Sequence, residues 1–291
     1  MHRVLKSFEF FEPKTVDEVV RLLFMYGAKA KVMAGGVDLV LKMRLRELMP
    51  EYVVSLQKVP ELDYIEGDRE TGLRFGALAT LRQIELSPIV QRNWVLLYEA
   101  VHQIASVQAK TMGTAVGNLC VATPASDVAP ALIALGAKVK IAGTAPEKVI
   151  PIEDLFVAVG KTILEPHEIV TEIFVPGLPA RTGGAFMKLA KTMDDIAKIN
   201  TAVTVTVADG KCQQTLIALG SVAPTPIRVT EAEGTLNGQK LDEETIARAA
   251  EAAAESVKPI TDVRSTAVYR KEMVKVLVKD ALEKAVARAK A

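Results

Sequence analysis

Two short segments put small residues where backbone N–H groups can point outward together. The first is Ala34-Gly35-Gly36-Val37-Asp38, at the exit of a strand pattern and the entry of a helix pattern. Glycine there permits positive φ and lets the main chain approach a ligand closely, which is how diphosphates are cradled at helix N-termini. An ordinary strand-to-helix turn uses the same residues. The second runs from Thr111-Met112-Gly113-Thr114-Ala115-Val116-Gly117-Asn118 to Ala125-Ser126-Asp127. Thr114 and Asn118 are suited to phosphate oxygens, and Asp127, an acceptor, to a ribose hydroxyl or an adenine amino group. Taken alone, this second segment is a polar loop.

Other chemistries lack their residues. Gly160-Lys161-Thr162 ends like a phosphate-binding P-loop, but Leu155 stands where the earlier glycine is required. The chain has no G-x-G-x-x-G and no G-x-S-x-G, which argues against a Rossmann dinucleotide site and a serine hydrolase. Cys120 and Cys212 stand too far apart for a cluster motif, and His2, His102 and His167 show no ligand spacing, so no metal site is expected in this chain. With 36 basic against 35 acidic side chains, the net charge of +1 offers no field for nucleic acid. No apolar run approaches the ~20 residues of a membrane span, and Met1 to Phe8 lacks the apolar core of a secretion signal. The expected location is the cytoplasm.

The elements that must position these segments can be read from periodicity. Thr15-Val16-Asp17-Glu18 has capping-box spacing, and an apolar stripe from Val16 to Met25 predicts a helix ended by Gly27. A strand at Ala30–Ala34, the glycine turn, a helix from Val37 and a strand at Tyr52–Leu56 follow. Short strands are expected between Leu62 and Ala77, and one helix over Gln91–Ala105 carries His102, which is read as backbone-bonded. Strands are expected near 139–141 and 169–175, and the breaker cluster Pro176–Gly184 marks a boundary. Beyond it lie strands at Ala185–Ala190, Thr201–Val207 and Gln213–Leu219, a hairpin turn at Asp209-Gly210, and helices over Asp242–Ser256 and Ser265–Ala289.

Four ordered segments resemble the FAD-binding medium subunits of molybdenum hydroxylases, the family of carbon monoxide and xanthine dehydrogenases. They are Lys31-Val32-Met33-Ala34-Gly35-Gly36-Val37-Asp38-Leu39, Gly113 to Cys120 with Thr123 to Leu132, Ala185 to Lys188 with Asp194 to Asn200, and the closing Tyr269-Arg270-Lys271. The likeness covers essentially the whole chain. It implies an α+β architecture: a two-subdomain FAD-binding fold of the vanillyl-alcohol-oxidase/PCMH type over 1–177, divided near 56, followed over 178–291 by a smaller domain with a three-stranded antiparallel sheet and helices.

By position, the resemblance assigns Lys31, Val32, Met33, Ala34, Gly35, Gly36, Val37 and Asp38, with Gly113, Thr114, Val116, Gly117 and Asn118, to the FAD diphosphate. Asp127 would lie near the ribose and adenine, while Ile104, Val170, Lys188, Asp195 and Ile196 would approach the flavin. The family usually reads Thr-Ile-Gly-Gly-Asn where this chain has Thr114-Ala115-Val116-Gly117-Asn118, and Lys110 stands near the position of a customary arginine. Valine disfavours positive φ, so either position 116 has negative φ or the loop differs. The implied function is electron transfer through FAD, from a molybdenum-cofactor large subunit and an iron–sulfur small subunit to NAD or another acceptor. A self-sufficient FAD oxidoreductase and a cofactor-free assembly scaffold are the competing readings.

Overall fold

The computed structural model describes residues 5–192 and 194–291. Met1–Val4, which includes His2 and begins the Met1–Phe8 stretch without a secretion-signal core, lies outside the described residues. The N-terminal unit comprises β1 (Glu9–Phe11), α1 (Val16–Tyr26), β2 (Ala30–Met33), α2 (Val37–Leu45) and β3 (Tyr52–Ser55). Its strands run parallel in the order β1-β3-β2. Thr15 caps α1 by accepting the Glu18 N–H at 3.2 Å, but the Glu18 carboxylate reaches back to the Lys14 N–H rather than that of Thr15. Val19, Val20 and Leu23 form the buried stripe of α1, as the spacing predicts.

The next stretch holds β4 (Ile65–Asp68), β5 (Gly72–Gly76), α3 (Leu81–Leu86), α4 (Pro88–Asn93), α5 (Val95–His102), α6 (Val107–Met112), α7 (Ala115–Cys120) and α8 (Val128–Ala134). It closes with β6 (Lys138–Ala142), β7 (Lys148–Pro151), β8 (Phe156–Ala158), β9 (Lys161–Thr162) and β10 (Ile169–Val175). An antiparallel sheet runs β4-β5-β10-β6-β7. The helix expected over Gln91–Ala105 is two helices. Trp94, fully buried, takes φ −124° and ψ 57° between them, and Ile104 lies beyond the end of α5. The apolar spacing continues through the break, so periodicity alone does not reveal it.

The remaining chain forms β11 (Thr182–Leu189), β12 (Ile199–Ala208), β13 (Lys211–Gly220), β14 (Ile227–Arg228), α9 (Thr230–Leu236), α10 (Glu243–Glu255) and α11 (Ala267–Lys290). The long strands pair β11-β12-β13, and the two-residue β14 extends the edge beyond the expected sheet. Asp209 (φ 50°) and Gly210 (φ 74°) make the expected hairpin turn, both residues having the positive φ of a type I′ turn. α9 was not anticipated from sequence. β12 is buried almost end to end: Val203 and Val205 face the α10–α11 side, while Ala202 joins the core of the first 180 residues. This strand cements the sheet to α8, where Thr204 Oγ1 donates to the Ala134 carbonyl at 2.6 Å.

Candidate functional site

The two glycine-bearing segments meet. A Cβ added to Gly35 would lie 1.6 Å from the Met112 carbonyl oxygen, so the backbone at Gly35 abuts the segment that leads into Thr114. Gly36 is the N-cap of α2 with φ 73°, a left-handed conformation that favours glycine, and no side chain caps this helix. Its leading N–H groups are therefore not consumed by a side-chain cap, the condition under which a helix N-terminus receives an anion.

Val116 falls inside α7 and has no positive φ. The departure from the glycine of the family motif thus leaves the backbone path intact, because helical geometry accepts a β-branched residue there at modest cost. Thr114 caps α7 by accepting the Gly117 N–H at 3.0 Å, leaving its hydroxyl proton to donate. Asn118 Oδ1 accepts from Ser126 Oγ at 2.6 Å, which leaves the amide N–H₂ as the group it can offer a phosphate oxygen.

The segments border a cavity of about 630 Å³, in the range that takes a bound cofactor. Val32, Met33, Ala34, Gly35, Gly36, Val37 and Asp38 line one side, and Gly113, Thr114, Val116, Gly117 and Asn118 another. Ile104, Asp127, Val170, Lys188, Asp195 and Ile196 complete the walls, whereas Lys31 is not part of the lining. Ala105, Leu164, Glu168 and Lys42 also border it and were not anticipated. Ala105 has φ 38°, a strained turn that alanine does not advertise in a sequence.

One wall is held by a buried charge pair. Lys188 Nζ, on β11, donates to Asp127 Oδ2 and to the Gln103 carbonyl, both at 2.8 Å. Asn200 Nδ2, on β12, donates to Asp127 Oδ1 and to the Ser126 carbonyl. Burial pushes the Asp127 carboxyl above the usual carboxylate range, against the opposing pull of Lys188 and Asn200. Asp127 thus reaches the cavity wall as the counter-charge of Lys188, with each oxygen already accepting a hydrogen bond. Desolvation also pushes the thiol of the half-buried, cavity-lining Cys120 up to about 12, which disfavours its thiolate.

A second cluster lies behind the α6–α7 segment. Glu85, on α3, accepts from Lys110 Nζ and Arg82 Nη1 at 2.8 Å each, and His102 Nδ1 lies 2.8 Å from its Oε1. The expectation of a backbone-bonded His102 is corrected: its partner is a carboxylate 17 residues away in sequence. Lys110 also donates to the His102 carbonyl at 3.1 Å, clamping the two ends of the stretch that carries Ile104 and Ala105.

Residues 6–178 match the family described as "FAD binding domain in molybdopterin dehydrogenase", and residues 184–285 match "CO dehydrogenase flavoprotein C-terminal domain". The chain is 35% identical to the carbon monoxide dehydrogenase medium chain of Hydrogenophaga pseudoflava, over 97% of its length and 98% of that protein. It is 33% identical to the 6-hydroxypseudooxynicotine dehydrogenase complex subunit alpha of Paenarthrobacter nicotinovorans, over 98% and 96% of the two chains. A solved structure of the Hydrogenophaga enzyme superposes with a TM-score of 0.94, covering 98% of this chain and 99% of that one. Quinoline 2-oxidoreductase from Pseudomonas putida superposes at 0.92 with 26% identity, over 99% and 100% of the chains.

Proposed function

Because the chain belongs to the FAD-binding medium subunits of molybdenum hydroxylases, we propose that it is the electron-transfer subunit of such a complex. In this reading it assembles with a molybdenum-cofactor large subunit and an iron–sulfur small subunit, and electrons leave through FAD to NAD or another acceptor. Bound FAD supplies a carrier that takes up two electrons and releases them singly or as a pair. This chain's residues bind it, orient it and exclude water.

The observation that carries the reading is the abutment of Gly35 on Met112, which brings the start of α2, with no side-chain cap, and the Thr114-capped start of α7 to one cavity. Main-chain N–H groups there, with the Thr114 hydroxyl and the Asn118 amide, suit a diphosphate. Charge-assisted bonds of this kind contribute ~1.5–3 kcal/mol each, so a few hold FAD without a covalent link. Lys188, fixed by Asp127, and the Asp195–Ile196 segment stand on the wall assigned to the flavin. Residues 1–177, with subdomains 1–56 and 57–177, would supply the cofactor site, and 178–291 the wall that closes it.

Co-expression with the two partner subunits, followed by a visible spectrum and metal analysis, tests the assignment. A yellow chain that co-purifies with molybdenum and iron is expected, with little substrate turnover by the chain alone. A chain that takes up no FAD would overturn it, and rapid reduction of the isolated chain by a substrate would favour a self-sufficient oxidoreductase.

A further inference from the structure

Tyr269-Arg270-Lys271 is among the segments that carry the family likeness, yet none of the three lines the cavity. Arg270, in the first turn of α11, is only 3% exposed. Its Nη2 donates to Asp262 at 2.7 Å and its Nη1 to the Ser221 carbonyl at 2.8 Å. Among the described residues its Nε has no hydrogen-bond partner, so the guanidinium is buried for the sake of these two contacts.

Ser221 is itself unusual. Its φ of 64° is costly for a residue with a Cβ, and such a conformation persists only where its surroundings over-determine it. Every polar group of Ser221 is engaged: the N–H donates to the Pro124 carbonyl at 2.7 Å, the hydroxyl to the Ala197 carbonyl at 3.0 Å, and the carbonyl accepts from Arg270. Pro124 sits between the cavity-lining Thr123 and Ala125, and Ala197 directly follows the cavity-lining Ile196. One strained residue, fastened by a buried arginine, therefore ties two separate walls of the cavity together.

We propose that Arg270 is a positioning residue which, through Ser221, fixes the Asp195–Ile196 wall against the 123–127 wall and so sets the closure of the cavity on FAD. The proposal rests on the FAD reading for its ligand but not for its geometry. The ordinary alternative is that Arg270 only anchors α11, in which case its loss lowers stability without loosening the Asp195–Ile196 segment selectively.

The test compares full-length Arg270→Lys, Ser221→Ala and Ser221→Gly with wild type, and with Asp242→Ala, which removes the α10 N-cap. Tryptic cleavage after the exposed Lys191 is followed in the FAD-free chain, FAD affinity by titration, and global stability by melting. Arg270→Lys keeps the charge but loses the planar fork. Both Ser221 variants lose the hydroxyl, and only glycine relieves the strain. Arg270→Lys and both Ser221 variants are expected to speed cleavage and weaken FAD about 3- to 10-fold, the range for one lost hydrogen bond. The Arg270→Lys/Ser221→Ala double variant should be little worse than either single one. Asp242→Ala should lower the melting temperature and change neither readout. Wild-type cleavage and affinity in a folded Ser221→Ala, or equal changes in Asp242→Ala, would overturn the relay. A wild-type chain that takes up no FAD would defeat the cofactor reading instead, while the cleavage comparison would still decide the relay.

Discussion

At the scale of single residues, the glycines state their own requirement. Gly36 combines φ 73° with a Cβ position 3.3 Å from Met33 Sδ, so Gly36→Val places a β-branched residue in a left-handed conformation costing ~1–2 kcal/mol even before crowding. The expected result is a chain with wild-type far-UV circular dichroism and little bound FAD, checked by flavin content after purification; full occupancy would count against the cradle. Val116 makes the opposite case. It lies in the first turn of α7 and is buried on the cavity wall, so Val116→Gly should cost ~1 kcal/mol or more through backbone entropy and lost packing, with no gain in FAD affinity. Melting and FAD titration separate the two effects, and markedly tighter FAD binding in the glycine variant would contradict this account. These positions were legible because residue type reports backbone need. The Asp127–Lys188 pair was not, since 61 residues separate its members and nothing local in either segment names the other.

At the scale of elements, periodicity located α1, β2, α2, β3 and the three long strands of the last sheet. It failed where tertiary contacts decide. Trp94 sits in phase with a single long helix, yet the chain breaks there into α4 and α5. α9 escaped notice because a feature that fixes it is the buried Glu233, which takes the Arg228 guanidinium and the Ile217 N–H at distances of 2.8–3.1 Å. The same blindness hid the α3–α5–α6 clamp around Glu85. Burial alone would raise that carboxyl, but hydrogen bonds from Lys110, Arg82 and His102 overcome it and bring the group from the ordinary 4.5 down to about 2. A depressed carboxylate contributes stability that is complete above its unfolded value and is lost as pH falls through the folded one. Wild type is therefore expected to lose more stability than Glu85→Gln between pH 4.5 and 2, while being the more stable of the two at pH 7. Denaturant unfolding across that window measures the difference, and parallel pH profiles would show that Glu85 is not held as described.

At the scale of the molecule, the cavity depends on contacts that join the two halves of the sequence. Near the cavity, Lys188 and Asn200 hold Asp127. Outside its lining, Glu99 on α5 accepts from Arg288 Nη2 at 2.6 Å, Lys284 Nζ at 2.8 Å and the Phe186 N–H at 3.1 Å. Phe186, Ala202 and Ala218, all from the last sheet, belong to the core of the first half. Such shared burial predicts a single cooperative unit, in which a weakened joint lowers the temperature at which the whole unit unfolds and the flavin leaves. Arg288→Met removes the fork from Glu99, whose carboxyl is desolvated and held below the usual range by Arg288, Lys284 and the Phe186 N–H. The pair is partly exposed, so the loss should fall between that of a surface ion pair, ~0–1 kcal/mol, and that of a broken buried one, ~3–5 kcal/mol. Flavin release, followed by the rise in its fluorescence on heating, should shift down together with the melting transition in Arg288→Met, although that residue does not line the cavity. If the flavin leaves at the wild-type temperature while the C-terminal helices melt earlier, the halves unfold separately and the cavity owes nothing to the Glu99 joint.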